Sequence, residues 1–291
     1  MTFLSTTLFR VSVAVIATLS LSMTATGRAQ EPHDHDPEHM EPSLRHLAHA
    51  ESHGGFPSFV DLFSTHHAYL ERKIHLRFDA TLADEADEYA GSSELAWQFT
   101  QRLGAEVEGG FVTRDPETGE GASSLSDIEV APIFALVHDP ERLLIVSARS
   151  GFVLPTGDED EGLGIDGWGW EPAILVWKGF GPEKRGALQT ELGYERVFAD
   201  EGTDEEELLA NVGLSYWLPS NWIPILEFNG VRHLGDDEAE DHEENTHFST
   251  LLGFRYAFAN GQQWGAGLQL PLKDSEDYDA RIIVGGIIHL K

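Results

Sequence analysis

The chain has 291 residues, no cysteine, and 50 acidic against 19 basic side chains, for a formal charge of −31. That balance excludes nucleic-acid binding through phosphates, which needs basic patches. The missing cysteines exclude disulfides and thiolate metal sites, and a surface this acidic attracts cations and repels anions.

Residues 1–29 read as a secretory signal, with Arg10 ahead of the apolar run Val11–Leu21 and a small-x-small cleavage site at Gly27-Arg28-Ala29. The apolar core is too short for a bilayer-spanning helix, which needs ~20 residues, and no later stretch is apolar enough for one. Without these residues the formal charge moves to −33, because Arg10 and Arg28 leave and no acid does.

Residues 30–70 form an arm rich in histidine and acid. His33, His35, His39, His46, His49 and His53 alternate with Asp34, Asp36, Glu38, Glu41 and Glu51, and His66 and His67 follow. The part around EPHDHDPEHMEP has three prolines and no apolar period, so it reads as disordered. Imidazole with carboxylate suits zinc, copper or nickel; a solvated polar tail is the alternative. Phe56–Leu70 is more apolar, and two placements fit it: a plug in a barrel lumen, or a lead into the first strand.

Residues 71–291 are expected to form an antiparallel up-and-down transmembrane β-barrel of about 12 strands. Alternating segments fall near 72–82, 92–100, 102–113, 126–137, 142–154, 167–178, 187–198, 208–218, 221–233, 247–258, 262–272 and 280–290. Ile74, Leu76, Phe78, Ala80 and Leu82 face out, and His75, Arg77, Asp79 and Thr81 face in. Leu188, Leu192, Tyr194 and Phe198 likewise oppose Gln189, Glu191, Gly193 and Glu195. An apolar outer face and a polar inner one is the pattern of a barrel in lipid, whereas a soluble barrel points its apolar face inward.

The connections alternate as well. One set is short; the other, at 83–91, 114–125, 155–166, 199–207, 234–246 and 273–279, is long and holds 29 of the 50 acids. Short turns on one rim and long loops on the other predict an outer-membrane barrel with its long loops outside. An even strand count then puts both ends of the barrel on the periplasmic rim.

The central stretch is 154–181, LPTGDEDEGLGIDGWGWEPAILVWKGFG, in which a strand ends at Leu154-Pro155, an acidic glycine-rich loop follows, and Trp168 and Trp170 open the next strand. Together with FTQRLGAEVEGGF (99–111), SDIEVAPIFAL (126–136), LQTELGY (188–194) and WGAGLQLPL (264–272), this stretch resembles a family of bacterial outer-membrane β-barrel transporters that includes the MetA-like proteins of phenol-degradation pathways. The resemblance spans roughly residues 71–290. It implies location and architecture and carries no catalytic or binding residue across. The His-rich arm departs from it, as does the ending Leu290-Lys291 in place of an aromatic.

No G-x-S-x-G or HExxH motif is present, and His75, His247 and His289 have no evident triad partners, so the chain does not read as an enzyme. The leading reading is a porin-like channel or transporter for a small solute, with a cation or metal link, in the outer membrane of a Gram-negative cell. Its arm would be periplasmic, and its partners would be outer-membrane lipid, the solute or cations, and the barrel-insertion machinery during assembly. The expected lumen lining is Arg77, Arg102, Glu106, Glu108, Glu129, Arg149, Glu171, Glu191, Glu195, Glu227, Arg255 and Arg281. The alternative is a closed barrel, a scaffold that displays acidic loops and carries a metal-buffering arm.

Overall fold

Alternation at period 2 forces each strand to show one row of side chains to each side of the sheet, and the sheet has to close so that no edge is left unpaired in lipid. In the computed structural model, which describes residues 59–200, 204–234, 246–272 and 278–290, closure is complete. The strands are β1 (Lys73–Leu82), β2 (Ala86–Gln98), β3 (Leu103–Pro116), β4 (Ala122–Leu125), β5 (Ile128–Asp139), β6 (Leu144–Leu154), β7 (Trp168–Phe180), β8 (Gly186–Phe198), β9 (Glu205–Tyr216), β10 (Trp222–Leu234), β11 (Thr246–Ala257), β12 (Gln263–Pro271) and β13 (Ala280–His289). Each pairs antiparallel with its neighbour, β1 pairs with β13 along its whole length, and the ring closes. Strand β4 is a short piece on the end of β3, in line with β5, so the barrel has twelve staves. Leu290 N–H bonds to Arg72 C=O and carries the seam one residue past the last strand.

The outer surface is an apolar belt. Leu192 and Leu252 are more than 60 % exposed, and Leu95, Val107, Phe228, Phe254 and Val284 lie in the same surface. Aromatics mark its two ends. Trp168 stacks on Phe198 at 4.2 Å and Trp170 meets Tyr194 at the long-loop end; Trp222, Tyr256 and Phe258 form an edge-to-face row at the short-turn end. An apolar band between two aromatic girdles is the outer surface of a barrel in a bilayer. Among the described residues no helix is long and apolar enough to cross a membrane.

One predicted connection is not a long loop. Strand β2 starts at Ala86 and pairs up to Pro116 of β3, so the link after β1 is only 83–85. The acids at 87 and 88 look like loop residues, yet Glu88 lies opposite Arg114 and Tyr89 opposite Thr113. Above the lipid a hairpin can continue with polar residues on both faces, and the apolar signal that marks a membrane strand stops before the strand does.

The inner face is also less uniformly polar than expected. Towards the short-turn rim Leu175, Trp177, Ile223, Ile225, Leu251 and Ile283 all point inward and are at most 3 % exposed. A buried apolar side chain needs apolar neighbours, and here the inserted chain ahead of β1 supplies them.

Candidate functional site

Residues 59–72 run up inside the barrel from the short-turn rim and return to it, with the bend near Ser64–His66. Phe59, Ala68 and Tyr69 pack with Leu143, Ile145, Ala173, Leu175, Trp177 and Ala187. Val60, Leu62 and Phe63 pack with Trp217, Ile223, Ile225, Leu251, Ala257 and Ile283. The two limbs meet where the Phe59 and Tyr69 rings stack at 4.1 Å. The wall is hollowed to receive the loop: a Cβ on Gly213 would lie 2.0 Å from Leu62 Cδ1, and one on Gly253 2.7 Å from Phe63 Cε2.

A loop in a lumen has no ladder partner, so each of its buried N–H and C=O groups must be paired some other way. Wall side chains do this. Gln263 Nε2 donates to Phe59 O at 2.9 Å, Gln189 Nε2 to Val60 O at 2.8 Å, Arg255 Nε to Asp61 O at 2.8 Å, and Arg77 Nη1 to Phe63 O at 2.8 Å. Ser147 Oγ donates to Ala68 O. Glu227, fully buried, accepts from Phe63 N–H at 2.7 Å, Ser64 N–H at 3.1 Å, Thr65 N–H at 2.9 Å and Thr65 Oγ1 at 2.8 Å. Glu191 accepts from His66 N–H at 3.1 Å and faces His66 Nδ1 at 2.7 Å.

The loop's charged side chains are paired too. Lys73 Nζ holds Asp61 at 2.5 and 2.6 Å, and Tyr69 O–H donates to the same carboxylate. Burial alone would raise the Asp61 pKa, but Lys73, His67 and His75 outweigh it and hold it well below the usual carboxylate range. Burial pushes the His66 imidazole down, yet Glu191 overrides this and raises it to about 9. His67 is likewise pulled down by burial and by Lys73, and raised on balance by Glu106 and Asp61.

Above the bend lies a vestibule of about 500 Å³ on the long-loop side. Asp79, Glu88, Glu108, Asp127 and Glu129 line it against Arg77 and Arg281, five carboxylates to two guanidiniums. Part of its wall is the glycine-rich loop after β6, which is tied to Asp127: the carboxylate accepts from Thr156 N–H at 2.8 Å, Gly157 N–H at 2.7 Å and Ile165 N–H at 2.8 Å. This leaves Leu163 buried and places Gly162 at φ +69°, in the left-handed region that glycine takes without strain.

Of the residues expected to line the lumen, Glu106, Arg149, Glu191, Glu227 and Arg255 are buried against the inserted loop or one another. Arg149 lies among Glu106, Glu129 and Glu171. Arg77, Glu108, Glu129 and Arg281 face the vestibule, and Glu171 and Glu195 are half-buried on inner positions of β7 and β8. Arg102 does not face the lumen. It is exposed in the turn 99–102, because β2 ends at Gln98 and β3 starts only at Leu103. His33, His35, His39, His46, His49 and His53 lie outside the described residues. Sequence reasoning did not assign Asp61, Lys73 or Glu94 to the lumen, and it faced Asp79 inward without naming it in the lining. Lys73 shares the odd, inward parity of His75 and Arg77 on β1, and Asp61 belongs to the segment for which two placements fitted.

A family model described as "Putative MetA-pathway of phenol degradation" matches residues 70–278. The chain belongs to this family. Among solved structures, the COG4313 outer membrane channel from Pseudomonas putida F1 superposes with a TM-score of 0.60 at 14 % identity, covering 80 % of this chain and all of the other. The NanC porin superposes at 0.53 with 10 % identity, covering 75 % of this chain and all of the other. At such identities the likeness is one of fold, that of outer-membrane channels and porins. No curated protein matches the chain.

Proposed function

We propose that this family member is an outer-membrane channel for a small solute, selective for cations and closed by its own residues 59–72. The observation that carries this reading is how the loop is held. It fills the barrel between the short-turn rim and the vestibule, yet it makes its bonds to side chains and adds no strand to the sheet. It can therefore leave without opening the barrel. A vestibule with five carboxylates to two guanidiniums concentrates cations at its mouth. The short-turn rim, with the chain ahead of the loop, faces the periplasm in this reading.

The test is conductance in planar bilayers of the full chain and of a variant lacking residues 59–69. The full chain is expected to be closed or nearly so, and the deletion open, with a reversal potential that favours cations. Anion preference in the deletion would overturn the selectivity, and a folded deletion that conducts no more than the full chain would overturn the gating. A second reading, a closed scaffold displaying acidic loops, is favoured by the completeness with which Glu227 and Arg255 satisfy the loop; absence of conductance in both forms is its signature.

A further inference from the structure

One cluster at the loop–wall contact is not explained by holding the loop. His67 on the inserted loop meets Glu94 on β2 and Glu106 on β3, and one donor atom from each lies within 4.8 Å of the others. The two strands bring the carboxylates together through their register. Glu106 lies opposite Ala96, so Glu94 is its diagonal neighbour on the inward face. His67 Nε2 stands 3.0 Å from Glu106 Oε1.

The protein serves this cluster unevenly. Glu106 is 4 % exposed and has Arg149 Nε at 3.4 Å from its other oxygen, whereas one oxygen of Glu94 is buried with no hydrogen-bond partner. Two carboxylates that close, one of them short of a donor, leave a place for a cation. The His67–Glu106 distance of 3.0 Å already fits one, and Glu94 lies within 4.8 Å of both. Bonds of ~2.1 Å at right angles to tetrahedral angles put neighbouring ligand atoms roughly 3.0–3.4 Å apart, and one nitrogen with two carboxylates suits a divalent first-row metal. Nδ1 of His67 has Asp61 Oδ1 at 4.0 Å and Lys73 Nζ at 3.5 Å. The cluster borders open space: a cavity of about 80 Å³ lined by Glu94, His66, His67 and His75 adjoins the vestibule at Arg77, Ser92 and Glu108. That is room for an ion with several waters.

We propose that His67, Glu94 and Glu106 form a zinc-type divalent metal site that fastens the inserted loop to the β2–β3 wall. Two of its three ligands belong to the wall and one to the loop, so occupancy ties the loop in place. The site is separate from the arm histidines and does not depend on whether the barrel conducts.

Zinc titration by calorimetry tests this, using the full chain in detergent micelles with His33, His35, His39, His46, His49 and His53 all replaced by Gln. One zinc equivalent should remain, and Glu94→Gln should weaken it at least tenfold. Glu94 accepts no hydrogen bond from the loop, so this variant keeps the fold, which a heat-modifiable shift on gels confirms. His67→Gln should do the same or more; if it fails to fold, Glu94→Gln decides alone. No zinc bound by the arm-substituted chain, or equal affinity in folded Glu94→Gln, overturns the site and leaves a buried ion pair.

Discussion

Replacing Glu227 by alanine is the sharpest perturbation of the loop. The carboxylate takes three backbone N–H groups and one hydroxyl from residues 63–65, all between 2.7 and 3.1 Å, at zero exposure. Hydrogen bonds to a buried charge contribute about 1.5–3 kcal/mol each, and each donor left without a partner costs about 1–3 kcal/mol. Even at ~1 kcal/mol apiece, four orphaned donors cost ~4 kcal/mol if the loop stays seated. At about 1.4 kcal/mol per decade, the seated-to-released ratio falls by roughly a thousandfold. The barrel has no such penalty, because the bonds of Glu227 to the loop are separate from the β9–β10 and β10–β11 ladders. Twelve strands at ~4.8 Å spacing and about 40° tilt enclose a backbone tube of roughly 24 Å, narrowed by side chains to a free bore of roughly 10 Å once the loop is out. Single-channel recording of Glu227→Ala should show frequent or sustained openings where the parent is quiet, and Glu227→Gln, which keeps one acceptor, should fall between. A folded Glu227→Ala barrel with parental conductance would refute the idea that this carboxylate holds the loop.

Three further outcomes are expected. Folding raises the His66 pKa from 6.5 to about 9, so its pairing with Glu191 stabilises the seated loop fully below about 6.5 and is lost as pH rises through about 9; openings should become more frequent between pH 7 and 10, and His66→Ala should remove that dependence. A cysteine at Gly162 should label on intact cells and one at Ser220 should not, since the two lie on opposite rims; the reverse pattern would invert the topology. A peptide spanning residues 30–55 should bind zinc, copper or nickel at micromolar or weaker affinity, weakening as pH falls through about 6.5, where imidazoles protonate; absence of heat for all three metals would make the arm a polar tail.

The barrel was legible because lipid imposes a strict period. Ile74 to Leu82 and Trp168 to Ile174 show their faces in sequence and keep them in the structure. The signal failed where lipid does not reach, as at Glu88 and Arg114, whose strands run on into water. It also failed near the short-turn rim, where Ile223 and Ile225 face inward while Trp222 and Phe228 face out, so β10 is apolar on both sides. Nothing local distinguishes a strand that packs on lipid alone from one that packs on lipid and a loop. The loop itself, FVDLFSTHHAYL, has no period, and its place is set by residues 77–269, far along the chain. Position 127 was part of a recognised stretch, but its role as the tie for residues 156–165 required the fold.

At Arg72 the loop runs directly into β1. This makes its resistance to force directional. Tension on the chain ahead of Phe59 meets the contacts in succession, first Gln263 and Gln189, then Arg255, then Glu227, and peels them one at a time. A push from the vestibule bears on the bend and strains the bonds of Arg77, Glu227 and Glu191 together, in parallel. The same set of bonds is thus a weak zipper towards one side of the membrane and a strong bolt towards the other.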